Sequence, residues 1–62
     1  MAKTNILIVD DEALIREGLR SLLEKEVFVH KIFEAGDAES FHSILADNRV
    51  DVVLLDIRLR HT

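Results

Sequence analysis

Residues 6–12, ILIVDDE, decide the fold, because four aliphatic residues run without interruption into three carboxylates. Residues 51–56, DVVLLD, repeat this pattern with a second apolar run that ends at Asp56. A short apolar run that stops at charged residues is typical of a strand buried on both faces, as in a parallel sheet covered by helices. The chain therefore has two predicted buried strands, each followed by carboxylates.

The segment after the first strand predicts an amphipathic helix from Ala13 to about Glu26. Apolar residues recur there at helical spacing, and arginines and glutamates fill the opposite side. Gly18 lies inside the helix and costs about 1 kcal/mol relative to alanine. The predicted buried stripe consists of Ile15, Leu19, Leu22 and Leu23.

Residues 27–48 predict one more strand and one more helix. Polar and apolar residues mix on both faces of the stretch 27–35, which favours a strand at the edge of the sheet. Gly36 and Asp37 form a turn with an N-cap candidate, and helical spacing then continues to Asn48, a predicted left-handed C-cap. The order βαβαβ implies parallel strands and right-handed crossovers, so an α/β sheet with strand order 2-1-3 is expected.

Composition excludes several classes of function. Eight Lys and Arg residues against 12 Asp and Glu residues give a net charge of −4, which opposes binding to a phosphate backbone. The chain has no Cys, so it forms no disulfide and no thiolate metal site. The apolar run at 6–9 is too short for a signal peptide or a membrane span. We expect a cytoplasmic protein without a direct nucleic acid partner and without a membrane segment.

The carboxylates Asp10, Asp11 and Asp56 all follow strands one and three. Strand order reverses between these strands, and open parallel sheets bind ligands beyond the carboxyl ends at that point. Three converging carboxylates repel one another unless a cation joins them, and all-oxygen ligands suit Mg²⁺. The alternatives are helix capping for Asp10 and Asp11 and a solubilising strand end for Asp56.

Three stretches together resemble the receiver domain of two-component response regulators: 6–12 (ILIVDDE), 34–39 (EAGDAE) and 51–59 (DVVLLDIRL). The resemblance implies half of a flavodoxin-like doubly wound parallel sheet. It also implies that Asp56 is the phosphoacceptor, and that Mg²⁺ is bound by Asp10, Asp11, Asp56 and the backbone carbonyl of Arg58. A sensor histidine kinase is the implied partner, and the chain is expected to be a phosphoacceptor module rather than an enzyme.

The resemblance covers only about the first half of such a domain. The hydroxyl residue and the Lys that would contact the phosphoryl group belong to later strands, and the family often has Pro where this chain has Arg60. We therefore expect residues 1–62 to be a truncated receiver-like domain with impaired phosphorylation. The alternatives are a non-catalytic, self-associating interaction protein and an excised fragment without autonomous function.

The apolar run 52–55 predicts self-association, because no strand follows it within the 62 residues. Two copies whose third strands pair antiparallel would form a sheet of order 2-1-3-3′-1′-2′. We therefore expect a homodimer that completes the sheet through the edge of the third strand. Exchange of a helix or strand between copies would meet the same need, and the sequence leaves both arrangements open.

Overall fold

The computed structural model describes residues 3–56. Its elements follow the order βαβαβ, as predicted: β1 (Thr4–Val9), α1 (Ala13–Leu23), β2 (Val29–Ala35), α2 (Ala38–Asp47) and β3 (Val52–Leu55). The strands form one parallel sheet in the order β2-β1-β3, which confirms the α/β class and the predicted 2-1-3 arrangement.

The register aligns the carboxyl ends of all three strands. Val9, the last residue of β1, lies opposite Ala35 of β2 and Leu55 of β3. The first crossover runs from β1 to β2, and the second runs in the opposite direction, from β2 past β1 to β3. Right-handed connections therefore place α1 and α2 on opposite faces. The loops after β1, β2 and β3 consequently meet at one edge.

β1 forms the core of the molecule. Ile6, Leu7 and Ile8 are 4%, 0% and 0% exposed, and Ala35 on β2 is equally buried. Successive residues of a strand point to opposite faces, so burial of three in a row means that both faces of β1 are covered. The prediction of a strand buried on both faces is confirmed for β1.

The helix α1 differs from its prediction in length and in burial. It ends at Leu23, three residues before the predicted end at Glu26, and a turn follows in which the Glu26 amide donates to the Leu23 carbonyl over 3.0 Å. Of the predicted stripe, Leu19 and Leu23 are half-buried, whereas Ile15 and Leu22 are exposed. α1 packs on β1 and β2, and residues 3–56 provide no further layer to cover the rest of the stripe.

The helix α2 begins as its sequence predicts and ends differently. The Asp37 carboxylate caps it by accepting from the Ser40 amide over 2.8 Å. The predicted left-handed C-cap is wrong, because Asn48 has an extended backbone with φ −139° and ψ 156°. The Asn48 backbone amide and side-chain amide both donate to the Ile44 carbonyl, at 3.0 and 3.1 Å. These two bonds satisfy that carbonyl without a left-handed residue.

The prediction that β3 is covered on both faces is wrong for the described part of the chain. All four residues of β3 are exposed, from 37% at Leu54 to 55% at Leu55. β3 lies at the edge of the sheet, and the two helices pack mainly on β1 and β2. Neither helix between residues 3 and 56 has the length and apolarity needed to span a bilayer.

Candidate functional site

Backbone hydrogen bonds fix the loops at the carboxyl edge of the sheet. Asp10 directly follows β1, and its amide donates to the Ala35 carbonyl on β2 over 3.1 Å. Asp56 directly follows β3, and its amide donates to the Val9 carbonyl on β1 over 3.0 Å. Each carboxylate-bearing residue is therefore tied to the neighbouring strand at the point where its side chain leaves the sheet.

The three carboxylates of Asp10, Asp11 and Asp56 come together at this edge. One oxygen from each lies within 4.8 Å of the others. Asp10 is buried, Asp56 is half-buried and Asp11 is exposed. The fold thus joins residues from two strand ends in a concentration of negative charge that a cation would offset. The donor atoms are all carboxylate oxygens, the type that Mg²⁺ prefers.

Asp10 also has a structural role in the loop before α1, although this role is not the helix capping offered as an alternative, because no side chain among the described residues caps α1. Its Oδ1 atom accepts from the Glu12 amide over 2.9 Å, which closes a local turn. Glu12 is the N-cap residue of α1, and its own side chain makes no capping hydrogen bond. The Asp10 carboxylate therefore orders the loop that leads into α1 while it faces the acidic cluster.

Arg16, which the helical pattern assigns to the polar side of α1, contacts the main chain at this cluster. The Nη1 atom of Arg16 donates to the main-chain carbonyl of Asp10 over 2.6 Å, and its Nε atom donates to Glu34 over 3.2 Å. The side chains of Arg16 and Glu34 are only 19% and 24% exposed. Arg20, one helical turn later, also donates to Glu34, over 3.0 Å. The spacing of the two arginines was the sequence signal that could have located this pair.

Gly36 leaves room for the Arg16 guanidinium. A Cβ atom at position 36 would lie 2.9 Å from Arg16 Nη1, closer than side-chain carbons normally approach. The next residue, Asp37, has a pKa below its usual value, chiefly because the Ser40 amide and hydroxyl donate to its carboxylate. The positive charge of Arg16 adds a smaller lowering.

A second polar cluster lies at the opposite end of the sheet and has an anchoring role. The Asp51 carboxylate accepts from the Asn5 amide over 2.8 Å, and the Asn5 side chain donates to the Arg49 carbonyl over 2.8 Å. The hydrogen bond from the Asn5 amide lowers the pKa of Asp51, and the nearby charge of Arg49 contributes less. These contacts fasten the start of β3 to the start of β1. The predicted ligand at the Arg58 carbonyl lies outside the described residues.

Comparisons with known proteins agree with this geometry. A family model described as the response regulator receiver domain matches residues 6–62. The chain is similar to the aerobic respiration control protein ArcA of Escherichia coli (strain K12), with 39% identity over 59 residues that cover 95% of this chain and 24% of that protein. It is also similar to the sensory transduction protein LytR of Streptococcus mutans, with 46% identity over 57 residues that cover 89% of this chain and 23% of that protein.

The chain spans about a quarter of the length of the curated relatives it matches. No solved structure gives a significant match to this chain.

Proposed function

Because the chain belongs to the response regulator receiver domain family, we propose that it is a phosphoacceptor module of two-component signalling in which Asp56 receives the phosphoryl group. The convergence of Asp10, Asp11 and Asp56 carries this proposal. The proposed donor of the phosphoryl group is a sensor histidine kinase. The chain is thus proposed to act as a signalling module rather than as an enzyme.

The chemistry follows from a carboxylate nucleophile. An Asp56 oxygen attacks the phosphorus atom of the donor, and the bond between phosphorus and the donor breaks, with its electron pair leaving on the donor. The product is an acyl phosphate on Asp56. The hydrogen bond from the Asp56 amide to Val9 fixes the backbone from which this nucleophile projects.

We propose that Asp10, Asp11 and Asp56, together with the backbone carbonyl of Arg58, hold Mg²⁺. The described donors fit this ion, because they are hard oxygen atoms gathered within 4.8 Å of one another. When bound, Mg²⁺ supplies positive charge that offsets the charge developing on a transferring phosphoryl group. Asp10 contributes a carboxylate already ordered by the Glu12 amide.

Thermal unfolding tests the cation site. At a Mg²⁺ concentration about ten times Kd, binding to the folded state alone adds about 1.4 kcal/mol to the free energy of unfolding. Asp11→Asn or Asp56→Asn removes most of this gain. The control is Asp47→Asn, which makes the same change of charge at the exposed end of α2 and keeps the response to Mg²⁺. If millimolar Mg²⁺ does not change the melting temperature of the unsubstituted protein, this result contradicts an assembled site.

Intact mass measured after incubation with a small phosphodonor and Mg²⁺ tests the phosphoacceptor. We expect a gain of one phosphoryl group that Asp56→Asn abolishes and Asp47→Asn preserves. We expect labelling of the 62-residue polypeptide to be slow, because the family resemblance implies phosphate-contacting hydroxyl and Lys residues on later strands. Loss of one such donor typically costs about 10²–10³ in rate. Fast, stoichiometric labelling would show that those contacts matter little here.

A second candidate function is self-association as a non-catalytic interaction protein. The exposed apolar residues of β3 favour it, since an uncovered apolar edge strand pairs readily with another chain. We propose a homodimer formed through the outer edge of β3. This proposal does not depend on phosphorylation. An Asp56→Asn protein that dimerises as well as the unsubstituted protein would still support it.

A further inference from the structure

We propose that Arg16 is a positioning residue that orients the acidic cluster by holding the peptide between Asp10 and Asp11. This inference rests on the proposed cation site and adds a residue that lies outside the set of carboxylates. The carbonyl that accepts from Arg16 Nη1 over 2.6 Å belongs to the peptide joining these two residues. The orientation of that peptide sets the direction in which both carboxylates leave the main chain.

The Arg16 guanidinium is held by the Asp10 carbonyl and by the Glu34 carboxylate. Glu34 on β2 accepts from Arg16 Nε, and the same carboxylate accepts from Arg20. Both Arg16 and Glu34 are largely withdrawn from solvent, so their charge-assisted hydrogen bonds are stronger than those of an exposed pair. Gly36 provides the space that the guanidinium occupies. Arg16 thereby ties the loop after β1 to the end of β2.

Positioning and simple electrostatics predict opposite changes in cation affinity when Arg16 is removed. The positive charge of Arg16, which contacts the main chain of Asp10, repels an incoming cation, so its removal should tighten divalent cation binding if charge alone matters. If Arg16 orders the Asp10–Asp11 peptide, its removal should weaken binding instead. Residues that orient metal ligands through hydrogen bonds typically cost about 10- to 100-fold in affinity when they are substituted.

The experiment compares Arg16→Gln with Arg20→Gln by calorimetric titration with Mg²⁺ and Mn²⁺. Both substitutions remove one positive charge from α1 and one ion pair to Glu34, but only Arg16 contacts the Asp10 carbonyl. We expect affinity to fall about 10-fold in Arg16→Gln and to stay the same or rise slightly in Arg20→Gln. Arg16→Lys keeps the charge with a single donor group, so we expect an intermediate affinity.

A second measurement needs no cation. The Glu12 amide, which donates to Asp10 Oδ1, should exchange with deuterium about 10-fold faster in Arg16→Gln and at an unchanged rate in Arg20→Gln. Unchanged or tighter cation binding together with unchanged exchange in a folded Arg16→Gln protein would overturn the inference. If the unsubstituted protein binds neither cation, the proposed cation site fails, while Glu12 exchange still decides whether Arg16 holds the loop.

Gly36→Ala provides a variant that keeps every hydrogen-bonding group. Its added Cβ would lie 2.9 Å from Arg16 Nη1 and should displace the guanidinium from the Asp10 carbonyl. We expect weaker cation binding and faster Glu12 exchange, as in Arg16→Gln. This variant decides the matter if Arg16→Gln does not fold, and unchanged values in Gly36→Ala would then count against the proposal.

Discussion

Asp51 and Asp56 flank the same four-residue strand, and their surroundings give the two carboxylates different roles. Asp51 accepts a hydrogen bond from the Asn5 amide and anchors the start of β3. Asp56 lies beside Asp10 and Asp11 at the other end, where the strand order reverses. Residue type alone does not distinguish them, whereas their position along a parallel strand does.

The lowered pKa of Asp51 predicts acid sensitivity. Because the folded state favours the ionised carboxylate through the Asn5 amide, this group contributes stability above its unfolded pKa of about 3.9. That contribution is lost as pH falls through the lower folded pKa. We expect Asp51→Asn to be less stable than the unsubstituted protein at neutral pH and to lose less stability on acidification below about pH 4.

Urea unfolding at several pH values, followed by circular dichroism, measures this effect. The control is Asp47→Asn, which removes an exposed carboxylate from the last turn of α2 and should not lower the stability at neutral pH. Parallel profiles for Asp51→Asn and the unsubstituted protein would show that the Asn5 contact does not contribute to acid unfolding.

The three clustered carboxylates were predictable from sequence, and Arg16 was not. Asp10, Asp11 and Asp56 end apolar runs, so the rule for parallel sheets is sufficient to bring them together. Arg16 lies on the polar side of an amphipathic helix, where an arginine is expected to face solvent. Its actual partners are a main-chain carbonyl and a carboxylate from β2, and the spacing of Arg16 and Arg20 indicates a shared partner without identifying it.

At the scale of elements, the existence of each helix was predictable but the ends were not. The charged residues Glu24, Lys25 and Glu26 suit a helix as well as they suit a turn. The chain turns there because the Glu26 amide binds the Leu23 carbonyl and the Val29 amide binds the Glu26 carbonyl. These two hydrogen bonds form the turn that leads into β2. The need for this turn arises only when β2 pairs with β1 in the sheet, so residues 24–26 alone do not predict it.

Gly18 offers a test of the energetics of α1. A Cβ at this position would meet nothing within 4 Å, so Gly18→Ala reduces the freedom of the unfolded backbone without a steric cost. We expect a gain of about 0.5–1 kcal/mol and a rise in melting temperature of about 4–8 °C for each kcal/mol in a domain of this size. Thermal unfolding followed at a helical circular dichroism band provides the measurement.

Gly36→Ala is the matched control for Gly18→Ala. The same added methyl group meets the Arg16 guanidinium there, so the guanidinium must move and we expect a smaller gain in melting temperature than in Gly18→Ala. If the melting temperature falls in both Gly18→Ala and Gly36→Ala, the outer face of α1 is covered in solution by a contact that the added methyl group disturbs.

For the whole molecule, topology followed from the sequence more readily than burial did. The order 2-1-3 results from connection rules that apply to any βαβαβ chain, and the structure has that order. Burial of β3 depends on which elements pack against it. An apolar run such as 52–55 predicts a strand but does not identify those elements. Its four side chains are exposed among the described residues.

The two edges of the sheet differ in their capacity for association. β2 carries exposed polar residues, His30 and Lys31, which oppose pairing with another strand. All four side chains of β3 are apolar. We therefore expect light scattering to report about 14 kDa, twice the 7.1 kDa of one chain.

Leu55→Lys places a charge on the β3 edge and should convert the dimer to a monomer. The control is Leu14→Lys, which places the same charge on the more exposed Leu14 of α1, a helix that packs on β1 and β2 rather than on the β3 edge. We expect its mass to stay at that of the dimer. A folded monomer in the unsubstituted protein would contradict the proposed interface.

The central place of β1 has a consequence for the nascent chain. β1 is the most buried of the three described strands and the first of them to be synthesised, yet its first pairing partner begins only at Val29. At about 5–20 residues per second, translation needs roughly one to four seconds to reach that residue from Val9. Collapse of a short polypeptide takes less than about 100 microseconds. The segment that later forms the interior is therefore the one that remains longest without a partner during synthesis.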